Sequence, residues 1–78
     1  MPTVIRIGGY RFFFYAGDGN EPAYIHIERE NNTCKFWLKP VMFCKSQGFN
    51  RNEINRIYHI VSENQELLVR SWNEYFND

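Results

Sequence analysis

Three side chains able to hold or move charge recur at alternate positions in Glu21–Glu30, EPAYIHIERE: Tyr24, His26 and Glu28, with Ile25 and Ile27 between them. In an extended strand this period places the phenol, the imidazole and the carboxylate on one face, successive members about 6.6 Å apart, and the isoleucines on the other. Such a spacing suits a shared ligand better than direct contact. An imidazole titrates near neutrality and is the usual general acid or base there, a carboxylate can orient it, and an arginine can stabilise charge on a phosphoryl group. One reading is therefore a ribonuclease-type site with His26 as general base, Glu28 as its orienting group, and Arg11 or Arg6 on the phosphate. The other is a half-exposed strand face in which His26 pairs with Glu28, Lys35 or Arg11 for ordinary stability.

Metal ligation needs three or four converging ligands. His26 and Glu28 supply two, and His59 falls in a helical segment expected across the sheet, so neither a metal nor a cofactor is expected. The glycines of GDGN (Gly17–Asn20) precede a strand rather than a helix, lack the donors of a helix N-terminus, and read as a turn. Tyr24, Trp37, Arg6 and Lys35, with Phe13 or Tyr15, have the composition of a stacking platform for single-stranded nucleic acid. Tyr, Trp and Arg are also the residues enriched in protein interfaces. Nine Lys and Arg against nine Asp and Glu give zero formal charge, which favours a protein partner over RNA as the occupant of this face.

The elements that must position these residues follow from alternation and turn chemistry. TVIRI, Thr3–Ile7, reads as a strand joined by Gly8-Gly9 to a second strand over Tyr10–Ala16. GDGNEP leads into the third strand, which begins near Ala23, and a reversal at Asn31-Asn32 leads into the fourth, TCKFWLK. After Pro40, VMFCK (Val41–Lys45) is a short fifth strand. Asn50 with Glu53 matches the spacing of a capping box. The stripe Ile54, Ile57, Tyr58 and Val61 then predicts a helix to about Ser62. Asn64 with Glu66 marks a second cap, followed by the stripe Leu67, Leu68, Ser71, Trp72, Tyr75 and Phe76.

The fold expected is α+β: an antiparallel meander of four or five strands over about residues 3–45, then one or two C-terminal helices over about residues 51–76, in a single domain spanning 1–78. The helices should cover the sheet face carrying Ile5, Ile7, Ile25, Ile27, Phe36 and Leu38. The opposite face would then carry Arg6, Tyr24, His26, Glu28, Lys35 and Trp37. FFF, Phe12–Phe14, spans both faces and leaves the phase of the second strand open, so either Arg11, Phe13 and Tyr15 or their neighbours join that surface.

A chain of 78 residues buries only about 60% of its unfolded surface or somewhat more, and its seven Phe, five Tyr and two Trp supply the large rings such a core needs. Its apolar runs are too short to cross a bilayer and its N-terminal sequence lacks a secretory apolar centre, so a cytoplasmic location without membrane contact is expected. Cys34 and Cys44 have no CxxC spacing. In a tight hairpin about Lys39-Pro40, position 34 faces 45 and Cys44 points to the other side, which predicts free thiols.

The strings MPTVIRIGGYRFFFYAGDGNEP, IHIE, KFWLKPV, GFNRNEI and WNEYF together resemble the small prokaryotic domain of unknown function 4160, over essentially the whole chain. The family shows a GNEPPHIHVE-like segment, in which the second histidine corresponds to His26 and the glutamate to Glu28. Tyr24 stands in place of the first histidine, which weakens any mechanism that requires a histidine pair on this strand. The resemblance implies a bacterial, cytoplasmic protein that works with a small cognate protein encoded nearby. The arrangement is like a toxin-antitoxin pair in which this chain is one component, the toxin being one of the roles open to it. A ribonuclease using His26, Glu28 and Arg11, and a sheet that binds single-stranded nucleic acid, are the alternatives.

Overall fold

The computed structural model describes residues 3–76. Strands β1 (Thr3–Ile7), β2 (Tyr10–Phe13), β3 (Tyr24–Arg29), β4 (Asn32–Leu38) and β5 (Val41–Gln47) are followed by helices α1 (Arg51–Glu63) and α2 (Gln65–Phe76). The strands form one antiparallel sheet in sequence order, and both helices pack on it, so the α+β meander read from the sequence is the observed architecture. The fifth strand is present and runs two residues beyond its expected end.

Register decides the inner face. Phe12 pairs with Ile27, which pairs with Cys34, and Ile25 pairs with Phe36. These residues form a core with Tyr10, Phe14, Leu38, Ile57, Val61, Leu68 and Trp72, in which Phe12, Ile25, Ile27, Phe36, Leu38, Ile57 and Val61 are wholly buried. Each fully buried large apolar side chain stabilises the fold by roughly 1.5–3 kcal/mol. Ile5 and Ile7, on the edge strand β1, pack against this core but remain partly exposed. The phase of β2 is settled by the same ladder: Tyr10 and Phe12 face the helices, whereas Arg11 and Phe13 join the other side.

Several boundaries differ from the sequence reading. The β2 ladder stops at Phe13 rather than Ala16, because the Tyr15 amide turns away to donate to Tyr24 Oη at 3.0 Å. The reversal after β3 is centred on Glu30 and Asn31, since Asn32 already pairs with Arg29, and Glu30 takes the left-handed conformation at φ 56°. A turn one residue later would keep the same inside-outside alternation, so alternation alone could not choose between them. Gly8 and Gly9, both at positive φ, form the expected tight β1–β2 turn. Gly48 has φ 104°, and a Cβ there would lie 2.1 Å from Asn32 Oδ1, so the exit from β5 admits only glycine.

The β4–β5 ladder contains a bulge. Phe36 faces Phe43, yet Lys35 faces Lys45 and Cys34 faces Ser46, so Cys44 is the extra residue and the expected pairing of position 34 with 45 shifts by one. Both cysteines are free thiols, as expected. Asn50 caps α1 by accepting from the Glu53 amide at 2.8 Å. The Glu53 carboxylate does not return to the cap, however; it accepts from Tyr10 Oη and Arg29 and fastens α1 to β2 and β3. Asn64 alone separates the two helices, its side-chain amide donating to the Ile60 carbonyl at 2.8 Å.

Candidate functional site

With both helices on one side, the other side of β2–β5 carries no helix, although Phe13 and Tyr24 on it are buried, and cross-strand register arranges it in rows. Phe13, His26, Lys35 and Lys45 form one row, Arg11, Glu28 and Thr33 a second, and Tyr24, Trp37 and Met42 a third. Arg6 lies opposite Arg11 on β1 and is exposed.

His26 is half-buried among rings. Phe13 stacks on it at 5.3 Å with 26° between planes, and Tyr15 and Tyr24 meet it edge-on at 5.1 and 4.9 Å. Burial lowers its pKa from the ordinary imidazole value, and the Lys35 charge adds to the effect. Both causes disfavour the imidazolium, so the neutral ring is the native form at neutral pH.

Glu28 does not orient this imidazole. Its Oε1 accepts from Arg11 Nε at 2.9 Å and Nη2 at 2.6 Å, while Arg11 Nη1 donates to Thr3 Oγ1 at 3.0 Å and the guanidinium lies 4.1 Å from the centre of the Phe13 ring. Glu28 and Arg11 thus form a self-contained pair beside the His26 row, and among the described residues no hydrogen bond joins either to His26.

Tyr24, expected on the accessible surface, is wholly buried. Its ring lies 4.9 Å from both His26 and Trp72, and its hydroxyl donates to Asp18 Oδ2. Burial first, then the bond to Asp18, raises the phenol pKa far above its usual range. This residue organises the GDGN turn and supports His26 from beneath. It offers no free face to a ligand.

Lys35 Nζ donates to Glu21 Oε1 at 2.8 Å and lies 4.5 Å from the Tyr24 ring centre and 4.6 Å from that of Trp37. The structure therefore brings His26, Tyr24, Lys35 and Trp37 into one contiguous set and separates Glu28 and Arg11 from it.

Two depressions adjoin this set. A groove of about 470 Å³ is lined mainly by Pro22, Ala23, Trp37, Pro40, Met42 and Trp72. A polar cleft of about 340 Å³ lies along His26, Thr33, Lys35, Lys45 and Gln47. Sequence reasoning missed Met42, Lys45 and Thr33. Register was the missing information: Thr33 and Met42 follow from pairing β4 with its neighbours, whereas Lys45 reaches this face only through the bulge. Among the described residues, no group of three or more His, Cys, Asp or Glu side chains is placed to hold a metal. Among the described residues, no helix is long and apolar enough to cross a membrane.

A family model described as a domain of unknown function, DUF4160, matches residues 9–73. The chain belongs to the DUF4160 family. That span runs from the β1–β2 turn to the last turns of α2 and includes every residue of the two depressions, so the DUF4160 match covers the uncovered face together with the core that supports it. No curated protein and no solved structure matches the chain.

Proposed function

We propose that this DUF4160 protein is a partner-binding component of a two-protein, toxin-antitoxin-like system, and that it engages a small cognate protein through the Trp37 groove. The observation that carries this reading is the groove itself. Half-buried Trp37 stands opposite Met42, which is 52% exposed, and the depression between them continues down to Trp72. Tryptophan and methionine are enriched in interface cores, and a recessed aromatic wall is where one anchoring side chain of a partner gains most on desolvation. A cavity of about 470 Å³ accommodates an aromatic or branched aliphatic anchor, and Lys39 at its rim can meet a carboxylate beside that anchor. The pairing of genes implied by the family resemblance supports the same reading. The ribonuclease alternative is weaker, because the carboxylate it assigns to His26 is held by Arg11.

The test is expression of the chain alone and together with the product of the neighbouring gene. Expected are a growth defect relieved on co-expression and a complex that co-purifies. Trp37→Ala should weaken that complex roughly tenfold or more, about 1.4 kcal/mol. His26→Ala should leave its affinity nearly unchanged. Absence of a complex, or a Trp37→Ala chain that folds and binds as well as the parent, would overturn the reading.

A further inference from the structure

The bulge in β5 has a local electrostatic consequence. Without it, Lys45 would fall opposite Cys34, and so on the helix-covered face. With Cys44 as the extra residue it lies directly opposite Lys35, on the same uncovered face as His26. Like charges facing each other across an antiparallel pair are destabilising, and bulges recur where a side chain is re-aimed beside a functional site.

The carboxylates of this surface do not offset the second lysine. Glu28 holds Arg11 and Glu21 holds Lys35, and Lys45 makes no ion pair among the described residues. The cleft between the strands is lined by His26, Thr33, Cys34, Lys35, Lys45, Ser46 and Gln47, with no carboxylate among the described residues that line it. Five of these, Cys34 and Ser46 excepted, belong to the uncovered face by strand alternation, and each of the five carries a hydrogen-bond donor.

We propose that this cleft is a phosphate-binding subsite, in which Lys45 supplies the unpaired charge, Lys35, shared with Glu21, adds to it, and His26, Thr33 and Gln47 supply hydrogen bonds. A phosphoryl group is favoured over a carboxylate because its larger number of acceptor oxygens can be met by several separate single donors, and an ammonium group binds phosphate as a point charge. Arg11, the guanidinium nearest this row, is already engaged by Glu28. The cleft is open along the sheet, so a phosphate within a nucleotide chain and a free phosphate can both reach it. The subsite is distinct from the Trp37 groove and does not depend on the partner reading.

The imidazole provides the readout. Charged groups that act on His26 are Lys35 on β4, Lys45 on β5 and, in the opposite sense, Asp18 in the β2–β3 loop; the Arg11–Glu28 pair occupies the adjacent row. An anion seated between the lysines reverses the local field and favours the imidazolium. The experiment follows both histidines by NMR through a pH titration of the intact chain, alone, with inorganic phosphate, and with a short single-stranded oligouridylate at equal ionic strength.

Expected is a saturable rise of about one pH unit in the His26 midpoint with at least one phosphate probe. His59, exposed on α1, should not move, and Lys45→Ala should lose most of the rise. A rise with oligouridylate alone identifies a chain phosphate, and a rise with inorganic phosphate identifies a free phosphate or small ester. No rise with either probe, an equal rise at His59, or an undiminished rise in folded Lys45→Ala protein would overturn the proposal.

Discussion

At the scale of single residues, Tyr24 separates the direction of a side chain from its accessibility. Alternation correctly sets it in the row of Trp37 and Met42, yet the returning GDGN turn and Trp72 close over it. His26, two positions on, keeps part of its surface and has a lowered pKa. The unfolded chain then binds more protons than the folded one between the depressed folded midpoint and about 6.5, so this group's contribution is complete above that unfolded value and is lost as pH falls through the window. The urea midpoint is accordingly expected to fall between about pH 7.5 and about pH 5.5, with a smaller fall in His26→Gln protein. Half-exposure keeps the effect modest. Equal falls in both proteins would assign the pH dependence to other groups.

At the scale of elements, short polar contacts decide how the helices meet the sheet. Asn50 satisfies the Glu53 amide, while the Glu53 carboxylate leaves the cap to hold Tyr10 and Arg29. Asn50→Ala should therefore lower stability by about 1 kcal/mol in equilibrium urea unfolding without changing the uncovered face. The same scale governs the β5 bulge. One inserted residue exchanges the faces of everything beyond it, so Lys45 joins His26 and Ser46 turns inward. Hairpin counting from Lys39-Pro40 assumes an unbroken ladder and leads to the wrong partner for Cys34.

At the scale of the whole molecule, helices on one side only give the two cysteines different fates. Cys34 lies in the core, and burial pushes its thiol pKa up to about 12, whereas Cys44 sits partly exposed at the bulge. A thiol reagent added to native protein should modify Cys44 promptly and Cys34 only on unfolding, because the thiolate is the reacting species. Mass spectrometry after timed quenching measures both. Prompt modification of Cys34 would show that the core opens locally far more often than this packing allows. The same one-sided layering leaves the apolar Trp37 groove and the polar His26 cleft side by side on one surface.

What the sequence by itself determined was what local periodicity carries: four strand segments with a fifth left open, two helical stripes, the Asn50 cap, the glycine turn, and the face on which His26 and Lys35 lie. These are legible because backbone geometry imposes periods of two and 3.6 on any chain that buries one side. Family membership was also legible, in motifs spread from the first turn to the last helix. Only the tertiary structure decided the phase of Phe12–Phe14, the burial of Tyr24, the capture of Glu28 by Arg11 and the arrival of Lys45 beside Lys35. Each depends on which strand lies next to which and in what register, and pairing partners far apart in sequence leave no mark on local alternation.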